Sequence, residues 1–337
     1  MQKKYLPFIV ILLLLSCKFE NTATQNDNHH QKNHISIMNW NTQTFFDTTV
    51  HGTEYSDFKK KNDNWTVTSY KNRVKRLCSV IEATNADIVV LEEIENQAVV
   101  FDIINNLKYQ GIPQKKYEYS FFYKNDNDVF GNAILSRMAL VNPKIHQVHT
   151  EISEKQPQLR PIIEISILPK KDIGNFSEKT RQDSLLNAEK KLTLFVSHWK
   201  SKSGGEGKTA LWRSFQESLL TPAAGASFSS YLVFCGDFNR DLEEFTKNEK
   251  NNIIFSNKQQ EILLHSPWLN SQEKGSYFYK NQWNKIDHFF LSESITLEDF
   301  YVYKENITKE DGTPLRFNLY NGEGYSDHLP IVATISY

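Results

Sequence analysis

Short apolar runs, each about a strand in length and bounded by polar turn residues, recur from His34 to Tyr337. They are read at His34 to Asn41, Asp87 to Ile94, Tyr117 to Tyr123, Phe130 to Ser136, Arg160 to Leu168, Leu192 to Ser197, Tyr231 to Cys235, Ile286 to Leu291 and Ile331 to Ser336. In the first, Ile35 and Ile37 alternate with polar neighbours, the period of a strand with one buried face. Helical period is rarer. Val67, Tyr70, Val74, Leu77 and Ile81 recur at three and four between Thr66 and Thr84; Val99, Ile103 and Leu107 mark a second helix, and Lys208 to Leu220 a third. Many strands with few helices fit two packed sheets with helices outside better than a doubly wound parallel sheet. No repeat, low-complexity block or Pro/Gly-rich break divides residues 34–337, so one domain is expected.

Ahead of this region, Lys3 and Lys4 precede an unbroken apolar run from Tyr5 to Leu15 that closes on Ser16 and Cys17. The run falls short of the roughly 20 apolar residues needed to span a bilayer, so it reads as an export signal. Leu14-Leu15-Ser16-Cys17 resembles the bacterial lipobox, in which the Cys becomes the first mature residue, is acylated and tethers the protein to a membrane. The alternative is an ordinary secretory signal, with Cys17 lost on cleavage. Several acyl chains hold such an anchor stably, at about 0.8 kcal/mol per buried methylene. Residues 18–33 are Asn, Gln, Thr, His and Lys with almost no apolar content and are expected to be a disordered tether. His29 and His30 within it read as a solvated pair rather than metal ligands. The expected location is the cell envelope, periplasmic or at the surface.

Cys78 and Cys235 sit inside apolar periodic segments, not in the paired spacings of a disulfide framework or metal site, and read as core. The chain has 39 basic and 40 acidic residues, a net charge of -1. That balance lacks the global basic excess of a protein that grips nucleic acid by charge alone.

The chemistry lies at the strand ends. Asn41, the Glu92-Glu93 pair, His198, Asp237 with Asn239, Asp287 with His288, and Asp327 with His328 each close or open an apolar run. Singly, such residues are ordinary turn formers. Together they are the types that bind hard cations and move protons. Asp237 and Asn239 stand two apart, so their side chains point the same way if the extended backbone persists.

The ordered segments Met38-Asn-Trp-Asn-Thr-Gln-Thr-Phe-Phe-Asp47, Ala86-Asp-Ile-Val-Val-Leu-Glu-Glu-Ile-Glu-Asn96, Ser197-His-Trp-Lys-Ser-Lys202, Gly236-Asp-Phe-Asn239, Lys285-Ile-Asp-His288 and Tyr325-Ser-Asp-His-Leu-Pro330 resemble the signature of the endonuclease/exonuclease/phosphatase superfamily. The resemblance spans nearly the whole domain. It implies an α/β fold, the deoxyribonuclease I-like four-layer α/β/β/α sandwich, with the site at one rim of the two sheets. With the leader and tether read above, the expected division is residues 1–17 a lipoprotein signal peptide, 18–33 a disordered tether and 34–337 the catalytic domain.

Phosphodiester hydrolysis needs neutralised charge, an activated water and help for the leaving oxygen. By resemblance, Glu93 and Asn41 hold Mg2+ (or Mn2+ or Ca2+), with Asp327 supporting the metal or the adjacent histidine rather than serving only as a turn residue. His328 is the general base and Asp287 fixes its tautomer. Asp237 orients the water, Asn239 binds a phosphoryl oxygen, and His198 binds phosphate or protonates the leaving group. Alternation turns Glu92 away from Glu93, and Glu95 lies near or past the end of the strand. Gln43 departs from the pattern, since many relatives carry a carboxylate there. Asp47 reads as a turn or capping residue. Arg137 is a phosphate contact or a surface ion pair; Lys200 and Lys202 are substrate-backbone contacts or solvated loop. Gly207-Lys208-Thr209 is no phosphate-binding loop, because the first glycine of that motif would fall at Lys202.

The leading expectation is a monomeric nuclease acting on DNA or RNA outside the cytoplasm. A phospholipid phosphodiesterase of the sphingomyelinase type is the alternative enzyme, although no exposed aromatic hairpin suited to entering a bilayer is legible. A lipoprotein that uses the fold only to bind a partner is a third reading, against which the intact acidic and imidazole set argues.

Overall fold

Strand β1 (His34–Phe45) takes a central place because both its edges find partners: β2 (Ile88–Ile94) in parallel and β15 (Ile331–Ser336) antiparallel. Beyond β2 lie β4 (Gly131–Ser136) and then β3 (Tyr119–Tyr123); beyond β15 lies β14 (Thr296–Val302), giving the sheet order β14-β15-β1-β2-β4-β3. A second sheet runs β5 (Leu140–His146), β6 (Ile162–Ile167), β7 (Leu192–His198), β8 (Tyr231–Asp237), β13 (Asp287–Ser292), β10 (Glu261–His265) and β9 (Ile253–Ser256). This computed structural model describes residues 33–56, 58, 65–109, 117–148, 157, 159–168, 191–227, 229–257 and 259–337. Cys17, His29 and His30 lie outside the described residues.

Each sheet is built around one parallel pair joined by a helix. Helix α1 (Val67–Thr84) connects β1 to β2, and α3 (Glu206–Gly225) connects β7 to β8. Thr66 caps α1 by accepting from the Ser69 amide at 3.1 Å, and Asn85 closes it in the left-handed region at φ 50. Helix α2 (Gln97–Tyr109) follows β2 and packs on α1. The sheets face one another, β1 and β2 against β8 and β4 against β7, over a continuous apolar core. Sheets and helices together make the expected deoxyribonuclease I-like sandwich. Cys78 and Cys235 are buried free thiols, as their setting in apolar runs predicts.

This wiring explains why a site forms. Parallel strands end at the same edge, so β1 with β2, and β7 with β8, deliver their C-terminal residues to one rim of each sheet. Antiparallel β13, and the segment leading into β15, start there. Asp237 stands in register with His198 on one side and Asp287 on the other.

Several strands escape the sequence. β5, β9, β10 and β14 are not expected from it: β5 and β14 are edge strands, where one side needs no partner and apolar content falls, and β9 and β10 are only four and five residues long. Pro143 argues against a strand inside β5, yet an edge tolerates it, and Asn142 bulges there at φ 52. Helix α3 runs past Pro222 for one more turn, at the cost of a single main-chain bond. The hairpin of β11 (Tyr277–Tyr279) and β12 (Gln282–Asn284) is not legible in the sequence: Tyr279 is half exposed, Tyr277 lies 4.5 Å, ring to ring, from His328, and the tip is the polar Lys280-Asn281.

Candidate functional site

The rim is set up by backbone that departs from regular strand. β1 bulges after Asn41, with Gln43 and Thr44 at φ 52 and 50, and Glu93 sits at φ 61 near the end of β2. Left-handed conformations at non-glycine residues cost roughly 1–3 kcal/mol and persist where surrounding contacts impose them. Here Arg73 from α1 donates to the carbonyls of Thr42, Gln43 and Thr44 while its guanidinium lies 3.5 Å over the Phe317 ring. The Thr44 amide in turn donates to Glu93 Oε2 at 2.6 Å. On the other sheet Gly236 is required: a Cβ there would meet the Ser197 carbonyl oxygen at 1.7 Å, just before Asp237.

At the centre, His328 Nδ1 and Asp287 Oδ2 are 2.8 Å apart. Ser276 donates to the same oxygen at 2.5 Å. Two buried indoles brace this pair from behind, Trp40 donating to the His328 carbonyl at 2.9 Å and Trp268 to the Asp287 carbonyl at 2.8 Å. The Ser326 hydroxyl accepts from the His328 amide and donates to the Asn41 carbonyl, tying β1 to the β15 approach. The other imidazole nitrogen, Nε2, stands 4.0 Å from Asp237 Oδ2. That oxygen accepts from Asn41 Nδ2 at 3.0 Å and lies 3.6 Å from His198 Nε2, which is 3.9 Å from Glu93 Oε1. Thus Asn41, Glu93, His198, Asp237, Asp287 and His328 come together from both sheets.

The electrostatics follow from burial. Burial opposes charge on His328, but Asp287, with Asp237 and Asp327, holds its imidazolium well above the usual range. Burial, aided by Asp287, pushes Asp237 up to about 7. His198 goes the other way: burial, Arg160, His328 and Lys200 hold it well below the usual histidine range. Of its two expected roles, a neutral His198 suits hydrogen bonding to phosphate, since it has no imidazolium proton to give a leaving group at neutral pH. Glu92 differs from Glu93 in burial. It is fully buried, both its oxygens lack partners, and burial with Asp287 and Asp237 nearby keeps its carboxyl protonated far above the usual range.

Some expected residues are placed differently. Asn239 adopts φ 47 just after β8 ends, so the extended backbone does not persist; it still meets Asp237 through its amide, 2.9 Å from Oδ1, while its Nδ2 donates to the Trp199 carbonyl. Asp327, expected to support the metal or the adjacent histidine, pairs with Arg316 at 2.9 Å and acts on His328 through its field. Arg137 belongs to the opposite rim, beside Asp87 and the start of β2, where it donates to Asn85 and stacks over Tyr117; there it cannot reach a phosphate at the site. Lys202 is taken by Glu244 and Glu206. Lys200 stays near His198, its amine lowered by burial and by Arg160 and Arg213. Gln43 makes a two-way bond with the Phe317 backbone, Nε2 donating to the carbonyl at 3.2 Å and Oε1 accepting from the amide at 2.9 Å. A carboxylate could not donate.

Arg160 is the residue that sequence reasoning missed. It lies just ahead of β6, acts on His198, Lys200 and Tyr55 by its charge, and forms no ion pair among the described residues. Its signal in the sequence was only a cation at the head of an apolar run. For a divalent ion the donor chemistry fits: Glu93 offers carboxylate oxygens beside the Asp237, Asp287 and His328 atoms that lie within 4.8 Å of one another, and Asn41, whose Nδ2 now faces Glu93 and Asp237 while Oδ1 accepts from the Gln43 amide, would turn its side-chain amide to offer oxygen.

Solved structures with this architecture include the Danio rerio protein TDP2 complexed with single strand DNA product, at 16% identity, covering 90% of this chain and 98% of that one, TM-score 0.52. The human Nocturnin catalytic domain with bound sulfate is 15% identical, covering 91% and 97%, TM-score 0.51. An endonuclease/exonuclease/phosphatase family protein from Bacteroides thetaiotaomicron is 14% identical, covering 91% and 99%, TM-score 0.53. Identities this low speak to the fold alone. No curated protein matches the chain. The family model described as endonuclease/exonuclease/phosphatase matches residues 36–336, and the chain therefore belongs to that family, whose chemistry is phosphoester hydrolysis.

Proposed function

We propose that this protein is a divalent-metal-dependent phosphodiesterase, exported and tethered through Cys17, with nucleic acid as its substrate. The observation that carries the chemistry is the His328–Asp287 pair set beside Asp237, within reach of Asn41, Glu93 and His198. A divalent ion held by Glu93 and Asn41 would supply charge neutralisation at the phosphoryl oxygens.

The chain's own groups divide the remaining work. In the resting site neighbouring carboxylates hold His328 toward its protonated form and burial does the same for Asp237, with Nε2 and Oδ2 4.0 Å apart, so Nε2 carries a proton there. Once that proton leaves, Nε2 is the base for the attacking water, Asp237 holds the water, and Asp287 stabilises the imidazolium that forms. Neutral His198 and the second Nδ2 hydrogen of Asn239, the first being given to the Trp199 carbonyl, donate to the phosphoryl oxygens. Arg160 and Lys200 set positive potential along the approach.

Nucleic acid is favoured by that cationic approach together with the aromatic hairpin at His328, where Tyr277 and half-exposed Tyr279 stack 6.2 Å apart and offer ring faces to bases. One structural neighbour holds a single-stranded DNA product. The hairpin is also what favours the lipid reading, but its tip is Lys280-Asn281, a polar turn ill suited to hydrocarbon. The test is a panel of DNA, RNA, sphingomyelin and nucleotide phosphoesters with and without chelator, wild type against His328→Ala. Chelator-sensitive, His328-dependent cleavage of nucleic acid is expected. Intact nucleic acid with phosphocholine released would overturn the substrate assignment, and cleavage retained by His328→Ala would overturn the mechanism.

A further inference from the structure

We propose that Asp47, His51 and Glu95 form a second cation site, separate from the catalytic cluster, for a borderline divalent ion of the Zn2+ class. One ligand atom from each lies within 4.8 Å of the others. His51 Nε2 and Asp47 Oδ2 stand 3.4 Å apart. Tetrahedral bonds of about 2.0–2.1 Å to a single ion put neighbouring ligand atoms about 3.3 Å apart, so this pair already has the spacing that an ion between them would impose.

The independent observation is Glu95. Its side chain is fully buried; Oε2 accepts from the Asp47 amide at 2.6 Å, while Oε1 is buried with no hydrogen-bond partner. An orphaned carboxylate oxygen is costly, and here a second carboxylate, Asp47, stands beside it with no Lys or Arg ion-paired to either among the described residues. A cation resolves both problems at once.

The frame is pre-set. Asp47 Oδ1 accepts from the Thr49 amide and Oδ2 from Asn96 Nδ2, and its carbonyl accepts from Trp65 Nε1 at 2.6 Å. The loop carrying His51 is held by Glu54, which accepts from the backbone amides of His51 and Gly52. One imidazole nitrogen with two carboxylates suits Zn2+, which accepts three protein ligands and an open fourth position, whereas Mg2+ and Ca2+ favour oxygen throughout. Half-exposed His51 leaves that fourth position to water. An ion there would clamp the segment after β1 to the junction of β2 and α2, bracing the ends of the two strands that carry Asn41 and Glu93.

The test uses chelator-stripped purified protein, Zn2+ alone as probe, and calorimetric titration with thermal melting of wild type, His51→Ala and Glu95→Gln. His51 is on the surface, so His51→Ala keeps the fold even if Glu95→Gln does not. Wild type should bind one more Zn2+ equivalent than His51→Ala, or the same equivalent at least tenfold more tightly, and should show a Zn2+-dependent rise in melting temperature that the variant loses. Equal stoichiometry, affinity and melting shift in the two proteins would overturn the proposal. So would a rise of the same size with Ca2+ that His51→Ala retains. Neither readout depends on phosphoester hydrolysis.

Discussion

Replacing Gln43 by Glu introduces the carboxylate that the family resemblance implies at this position, and the structure predicts that this harms the protein. Gln43 both donates to and accepts from the Phe317 backbone, at 3.2 and 2.9 Å. The substituted side chain can still accept from the Phe317 amide, but it loses the donor and sets a carboxylate oxygen against the Phe317 carbonyl. Arg73 offers no rescue through its terminal nitrogens, which already serve the carbonyls of Thr42, Gln43 and Thr44. A lost bond that leaves a buried partner unsatisfied costs about 1–3 kcal/mol. At roughly 2 °C per kcal/mol for a domain of this size, melting should fall by about 2–6 °C. Gln43→Met should lose at least as much, because it leaves both the carbonyl and the amide of Phe317 without that partner. The assay is thermal melting of both variants, alongside the Mg2+ concentration that gives half-maximal phosphoesterase activity. An unchanged melting temperature with a several-fold lower Mg2+ midpoint in Gln43→Glu would refute the reasoning and return position 43 to the metal.

Asp287→Asn should keep the fold but lower kcat by about 10²–10⁴, the range for losing a general base's function, as measured by initial rates. Arg160→Ala should reduce kcat/KM by roughly tenfold to a hundredfold, whereas Arg137→Ala, at the far rim, should leave it within about twofold; equal effects of the two would contradict the placement of Arg160. Glu92 keeps its proton when folded and releases it on unfolding above the ordinary carboxyl range, so its contribution to stability falls as pH rises. Glu92→Gln should therefore melt higher than wild type at pH 8, with the gap closing near pH 4; a gap that does not vary with pH would show that Glu92 is not protonated in the fold.

Much of the architecture was legible because local rules and global packing agree. Helix α1 begins where Thr66 can cap it and ends at Asn85, and the central strands β2, β4, β7 and β8 are apolar along their length. The edges β5 and β14 were illegible, since an edge strand relaxes the very pattern that announces a strand, and β9 and β10 were too short to show one. The site divides in the same way. Asn41, Glu93, His198, Asp237, Asp287 and His328 announce themselves as polar residues closing or opening apolar runs, and strand direction carries each to one rim.

What the chain by itself determined is which chemical groups stand at strand ends and how the segments alternate, because both follow from side-chain type and spacing. Only the tertiary structure decided what each polar group is bonded to. Asp287 turns toward His328 and Asp327 toward Arg316; Gln43 is consumed by Phe317, and Arg160, not Arg137, stands near the centre. Those outcomes depend on partners scores of residues away in most cases, and hydrogen bonds and fields act over a few ångströms of space, whatever the distance along the chain.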